Sequence, residues 1–385
     1  MLTQIISKFE KNPDDKILNI QLKVINTDIK GLMHGQKNNI KPIGYLVIST
    51  SNQKGLSEIY IATYISNAVQ SLVDFLSFKF SGKSISEFGK LYDSFNIPFV
   101  SRDGIFRAIM GCLESAFLDL LAKRAEVPLY KLFVDQMNKS KIYASGGSVI
   151  MSSSQILDEL DYVNQSEFDG YKMRVGYYDW NEDMKRVHAL RDQKIKCMVD
   201  AISGTRLPPW SLDDATEKVK FLEDCNVYWL EEPLSPSQLS EMAELQNSTS
   251  LHIAAGEAYS GVGEYELLMN IGNIDVIQFD ACHSGGFSVC MQTHNSAKKL
   301  SKKTAIHVWG SIVAVNTNYH LSLALNELDF FEVPLIELGI NRNIFEDVGF
   351  MDRRNQILDL PGIGIDAEKV LDLENSKNFE NIYEW

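Results

Sequence analysis

The sequence predicts an α/β protein: a (β/α)₈ barrel of the TIM type, preceded by a smaller α+β segment. After about Lys141 the chain breaks into eight short apolar runs. A helical stretch of about a dozen residues follows each, and successive runs are roughly 25 to 30 residues apart, the length of one strand-plus-helix unit. Eight such units close into a barrel of parallel strands. An open, doubly wound sheet is the alternative, but it uses fewer strands and a Gly-rich first turn that this chain lacks.

The elements follow in order. From Lys16 to about Tyr64, β-branched runs K-I-L-N-I-Q-L-K-V-I and Y-L-V-I-S-T, the turn S-N-Q-K-G and then I-Y-I-A-T-Y read as a small antiparallel meander. Residues 61–81 and 102–125 carry helical spacing, the second as an amphipathic segment with a continuous apolar stripe, and Pro128 in E-V-P-L-Y stops it. The eight barrel runs are I-Y-A-S-G, G-Y-K-M-R, C-M-V-D, V-Y-W-L-E, H-I-A-A-G-E, D-V-I-Q-F-D, T-A-I-H-V and F-F-E-V.

With 385 residues and 45% apolar content the chain can bury a large core, divided on size alone into roughly two domains. The balance of 37 basic against 51 acidic residues, with no basic stripe, argues against nucleic acid as a partner. The N-terminus lacks the apolar core of a signal peptide and no long apolar stretch follows, so no membrane association and a cytoplasmic location are expected. Five scattered cysteines, Cys112, Cys197, Cys225, Cys282 and Cys290, show no metal or disulfide spacing and are read as buried small hydrophobes.

Lys172 and Arg174 stand two apart in G-Y-K-M-R-V-G, where strand geometry points both side chains the same way. On a solvated face they would only repel each other, so the strand ends must give them a purpose. Barrel active sites lie at the C-terminal ends of strands. The last polar residues of the runs are Lys172 and Arg174, then Asp200, Glu231, Glu257, Asp280, His307 and Glu332. One charged strand end is an ordinary helix cap; seven in succession are not. Asp200, Glu231 and Glu257 come from neighbouring strands and would repel one another without a cation, and an oxygen-only set selects a hard ion, Mg²⁺ rather than Ca²⁺. Glu232 should point to the opposite side, a support fixed by Pro233. Lys172 and Arg174 then leave the mouth slightly positive, ready for a carboxylate-bearing substrate. Opposite them, Asp280 can orient His307 as a general base. His188, His294 and His320 fall in helical segments and His252 opens a strand, which leaves His34 and His283, in loops, as further substrate contacts.

The pattern resembles the enolase superfamily, mandelate racemase/muconate lactonizing enzyme family, mandelate racemase subgroup. The residues are K-M-R at 172–174, V-D at 199–200, W-L-E-E-P at 229–233, G-E at 256–257, D-A-x-x-x-G-G at 280–286, His307 and F-E at 331–332, with V-P-L-Y-K-L-F at 127–133 and L-P-G-I-G-I at 360–365. The resemblance implies that Asp200, Glu231 and Glu257 bind one Mg²⁺ per active site, that Asp280 and His307 form the acid/base dyad, and that Glu332 hydrogen-bonds the substrate carboxylate. It also implies a capping domain of residues 1–135, a barrel domain of 136–350 and a C-terminal segment of 351–385 returning to the cap, with cap loops at about 28–40 and after Glu58, such as Tyr60, choosing the substrate. Two positions depart from it. Lys172-x-Arg174 stands where Lys-x-Lys is usual, and an arginine is neutral at pH 7 in about one molecule in 10⁵ or fewer. Ile202 stands where a polar substrate contact is common.

The implied chemistry is abstraction of the proton α to a carboxylate, and a single effective base favours an acid-sugar dehydratase, a lyase yielding a 2-keto-3-deoxy acid. The alternatives are a racemase or epimerase of a 2-hydroxy acid, with Arg174 depressed by Lys172 into a base, and a catalytically silent relative that binds metal or ligand. A zinc amidohydrolase is disfavoured for want of histidines at strand ends. The expected partners are a small-molecule carboxylate, an acid sugar, and further copies of the chain in a homo-oligomer.

Overall fold

The structure, a computed structural model, describes residues 1–29, 40–97, 103–176, 179–204, 208–336, 338–344 and 349–374. Three antiparallel strands, β1 (Asn19–Asp28), β2 (Ile40–Ser49) and β3 (Lys54–Ile59), form a sheet in that order. Eight parallel strands then close a barrel: β4 (Lys141–Ser145), β5 (Gly170–Arg174), β6 (Lys196–Asp200), β7 (Trp229–Glu231), β8 (His252–Ala255), β9 (Val276–Phe279), β10 (Lys303–Ile306) and β11 (Phe330–Pro334). Each contains residues of one of the eight apolar runs, so the expected barrel is the observed one. No helix of the described residues is long and apolar enough to cross a membrane.

Period-2 alternation determines what the barrel encloses. Tyr143, Met198, Trp229, Ala254, Val276, Ala305 and Phe330, one from each strand except β5, pack as a separate apolar layer inside it. The Trp229 ring meets Tyr143 and Phe330 edge-on, with centroids 5.4 Å away in each case. Large rings filling the bore make this end a floor rather than a pore. Two residues further along each strand the same inward direction recurs, at Ser145, Asp200, Glu231, Gly256, Gln278, His307 and Glu332. On β5, Gly170 is opposite Tyr143, while Lys172 and Arg174 are level with Met198 and Asp200.

The N-terminal half departs from expectation in three places. The third strand is Lys54–Ile59, and I-Y-I-A-T-Y leads instead into the helix Ala62–Phe80. Gly55 is a strand residue, not part of the turn, because a β-carbon there would lie 2.0 Å from the Ala116 carbonyl oxygen of the helix packed on it. That helix, Ile105–Arg124, is buried all round from Ala108 to Ala122 rather than amphipathic, since it lies between the three-stranded sheet and the barrel helix Gly286–Lys299. Its two buried acids are satisfied. Glu114 accepts from Ser288 N (3.0 Å) and Oγ. Asp119 accepts from Leu56 N, Ile363 N and Lys123 Nζ at 2.7–2.8 Å, joining sheet, helix and C-terminal segment. The helix Ile85–Ser94 went unread although Ser84 and Glu87 form a capping box at its start. All five cysteines are buried and unpaired.

Gly111 brings this helix onto the barrel: a β-carbon there would lie 2.0 Å from the Gly285 carbonyl carbon. Alanine is favoured over glycine in a helix by about 1 kcal/mol, yet a clash with fixed backbone should outweigh it. Gly111→Ala is expected to lower stability by about 1–3 kcal/mol in chemical denaturation; an unchanged midpoint would show that the helix can back away freely.

Candidate active site

The strand ends that were expected to converge do so. Asp200 and Glu231 are register partners on β6 and β7, and Glu257 follows β8 after Gly256, whose φ of +147° is one that a side chain rarely adopts. Lys172, 1% exposed, reaches up from the floor layer into this group. Its Nζ lies 2.6 Å from Glu231, 3.0 Å from Glu332 and 3.8 Å from Asp200. The floor also contributes: Trp229 Nε1 donates to Glu231 Oε2 over 3.2 Å.

Six acids, Asp200, Glu231, Glu232, Glu257, Asp280 and Glu332, meet two principal cations, Lys172 and His307, here. Burial pushes Glu231 up to about 7 against the pull of Lys172, and raises Asp200 in the same way. Burial also acts on Lys172, but the three carboxylates more than offset it and hold the ammonium firmly charged. Glu332 resists its own burial because Lys172 and His307 stabilise its charge, and it accepts from Val308 N at 3.0 Å.

His307 sits just past β10 with a carboxylate on each ring nitrogen: Asp280 Oδ2 at 3.2 Å from Nδ1 and Glu257 Oε2 at 3.1 Å from Nε2. Burial alone would discharge the ring, but Glu257 and Asp280 raise its pKa well above the ordinary value. Two acceptors hold it as an imidazolium. Asp280 is held in turn by Cys282 N (2.8 Å) and Asn318 Nδ2 (2.7 Å), so its orientation is set from both sides. Burial also raises Glu257, but His307 prevails and lowers it to about 2.

Glu232 does not point away from the group. Its φ is +41°, so alternation ends at Glu231 and the chain turns its carboxyl back. Buried first of all, and then crowded by Glu257, Asp200 and Glu231, its pKa is raised well above normal. One oxygen accepts from Gly204 N at 3.0 Å and the other, Oε1, has no hydrogen-bond partner. Ile202 also adopts a positive φ, 45°, which aims its backbone N–H at Asp200 Oδ1 over 2.8 Å. Ile202 thus supports Asp200 through its backbone and, as its sequence departure implies, offers no polar side chain. Gln278, buried in the bore with both amide ends unpartnered, was not singled out from the sequence; its place two residues before Asp280 in an apolar run was the available signal.

Among the described residues no three His, Cys, Asp or Glu side chains are already spaced to hold a metal ion. The reason is visible: Glu231 and Asp200 are turned onto Lys172, and Glu257 onto His307. The donor set nonetheless fits a hard divalent cation, being oxygen-only and crowded, with a buried carboxylate oxygen of Glu232 left unpartnered. Arg174 lies at the rim, donating to Gly146 O (2.7 Å) and Ser145 Oγ (3.2 Å). Tyr60 comes from the segment after β3, its ring 6.1 Å from that of His307 and 5.3 Å from that of His283. His283 is half-buried, with its Nδ1 buried and unpartnered. His34 and most of the loop at 28–40 lie outside the described residues.

Removing Lys172 exposes the electrostatics of the group. A carboxyl whose folded pKa stands above its unfolded value gives stability that is present below about pH 4 and lost as pH rises through the folded value, near 7 for Glu231 even with Lys172 in place. Lys172→Met, kept metal-free with EDTA, should lose about 3–5 kcal/mol at pH 8 and far less at pH 5 in urea unfolding. An equal deficit at both would refute this account.

Residues 155–370, more than half of the chain, match the family described as enolase C-terminal domain-like. The chain is 27% identical to arabinonate dehydratase of Saccharolobus solfataricus over 274 residues, 68% of this chain and 70% of that protein. It is 29% identical to L-talarate/galactarate dehydratase of Salmonella typhimurium over 273 residues, 69% of this chain and 64% of that protein. In fold it is similar to an enolase from Bradyrhizobium solved with magnesium and mandelic acid, with a TM-score of 0.77 and 19% identity over 94% of this chain and 99% of that one. Barrel, strand-end residues and family match lead to one conclusion: the chain belongs to the enolase superfamily, within its mandelate racemase-like branch.

Proposed function

We propose that the protein abstracts the proton α to the carboxylate of an acid sugar and expels the β-hydroxyl, giving a 2-keto-3-deoxy acid. The observation that carries this reading is the pairing of one well-oriented imidazole, His307, with an arginine at the rim position. Burial works against the charge of Arg174, but Asp200, Glu332 and Glu231 outweigh it and raise its pKa. A racemase would need that pKa depressed. The dehydratases among its relatives support the same choice.

Asp200, Glu231 and Glu257 would hold Mg²⁺, with Glu232 beside them. When bound, the ion supplies positive charge where the enediolate develops. Once Glu257 no longer faces Nε2, the charge that held the ring as an imidazolium is reduced; Nε2 would release its proton to solvent and become the base, while Asp280 keeps the Nδ1 proton in place. Nε2 takes the Cα proton, the electron pair forms the Cα–Cβ double bond, the Cβ–O bond breaks, and the same proton leaves with the hydroxyl as water. The enol then tautomerises to the keto acid. Lys172, freed from its carboxylates, adds a second positive charge at the enediolate oxygens. Glu332, already anchored by Val308 N, would hydrogen-bond the substrate carboxylate through a proton held between the two groups.

An acid-sugar library assayed with semicarbazide for keto-acid release should yield a substrate; proton exchange in D₂O without loss of water would select the racemase instead. His307→Asn is expected to lower kcat by about 10²–10⁴-fold, with Mg²⁺ binding by calorimetry retained. EDTA should abolish turnover and added Mg²⁺ restore it, and full activity in EDTA would remove the ion from the reaction.

A further inference from the structure

Lys41, the second residue of β2, is 1% exposed. Its Nζ lies 4.2 Å over the Trp309 ring, and among the described residues no carboxylate is ion-paired with it. The two acids that act on it, Glu58 and Asp280, are committed elsewhere. Glu58 accepts from Ser311 N (3.0 Å) and Oγ (2.6 Å). Asp280 is taken by His307, Cys282 and Asn318.

Arg174 approaches the same indole, with its guanidinium carbon 5.4 Å from the ring centroid. Its bonded acceptors, Gly146 O and Ser145 Oγ, are neutral. Two cations therefore flank one ring, neither bonded to an acid, in a chain of net charge -14. A buried cation without a bonded anion costs stability, and such a cost persists where a ligand supplies the missing charge.

We propose that Lys41, Arg174 and the Trp309 ring form a second anion subsite, which receives the distal carboxylate of a dicarboxylic acid sugar. This rests on the acid-sugar reading and narrows it from one carboxylate or two to two. Arg174 is one pleat repeat, about 6–7 Å, beyond Lys172 along β5. A molecule that spans the Lys172 end and the Trp309 end must therefore be extended, with an anion at each terminus. The groups facing Lys41 are Glu58 from β3, Asp280 after β9 and Arg174 from β5. Burial lowers Lys41 to about 8 despite Glu58 and Asp280, so the ammonium form still prevails at neutral pH.

The test separates binding from turnover. The His307→Asn protein with Mg²⁺ is titrated calorimetrically with galactarate and glucarate, and with galactonate and gluconate, which each lack one carboxylate. At least one diacid should bind more tightly than its monoacid. Adding Lys41→Met should weaken that diacid by about tenfold or more and the monoacid by less than about twofold, while Lys41→Arg keeps most of the affinity. Because Lys41 has no bonded acid, Lys41→Met should melt no lower than its parent. No diacid preference, or equal weakening of both acids, overturns the subsite, as does a lowered melting point with general loss of binding. Lys41-dependent diacid binding without keto acid from any sugar leaves the subsite standing and sinks the reaction; dehydration of monoacids with diacids unbound does the reverse.

Discussion

The ammonium of Lys172, shared among Glu231, Glu332 and Asp200, is the interaction on which the barrel mouth depends. Strand alternation forces acids from β6, β7 and β11 into one volume, and burial there disfavours their charge more than any other influence on them. A cation at the centre is what lets them coexist. Its neighbour in the same role is the His307 imidazolium, which offsets Glu257. Both cations are side chains with rotatable bonds, so a metal ion that took the acids would displace them without moving the barrel strands. Folding and chemistry thus use the same charges in two different pairings.

The cap is tied to this centre by polar contacts rather than by apolar packing alone. Glu58 at the end of β3 accepts from the backbone and side chain of Ser311, the residue that caps the barrel helix Ile312–Ala324. A carboxylate at a helix N-terminus is favoured by the helix dipole, and Ser311, which donates to it, lies four residues from His307 in the chain. Cap position and base position are therefore not independent: a shift of β3 would be felt in the segment that carries the imidazole. Tyr60, two residues past Glu58, stands over the same ring.

How much of this was legible in the sequence follows from which rule each feature obeys. All eight strands could be read because parallel barrel strands are short apolar runs bounded by helices, and the floor layer keeps strict alternation with the ionisable residues two positions on. The candidate residues are the last polar residues of the runs, a rule that brings Lys172, Asp200, Glu231 and Glu332 together at the mouth and His307 against Asp280. The helix Ile105–Arg124 misled because its burial on every side depends on a partner from each domain, which periodicity within one segment does not reveal. Gly55 read as a turn residue because the close approach that demands it involves Ala116, far away in the chain. Lys41 escaped notice since its neighbours Glu58, Asp280 and Trp309 come from three separate elements.

Glu232 is the most instructive failure, because the rule that misplaced it holds throughout the floor layer of the barrel. Strand period assigns it to the outside, and its φ of +41° overrides that. Ile202, at φ 45°, and Gly256, at φ +147°, break the pattern at the ends of the two flanking strands. A non-glycine residue held there costs on the order of 1–3 kcal/mol. Three adjacent strands thus end in backbone that a plain strand would avoid, and each irregularity aims something at one point: the Ile202 N–H at Asp200, the Glu232 carboxyl inward, and the segment carrying Glu257 toward His307. Regular structure delivers the acids to the mouth, but their convergence is produced by the residues that leave it. An inference from periodicity should therefore be weakest at the very positions that carry the chemistry.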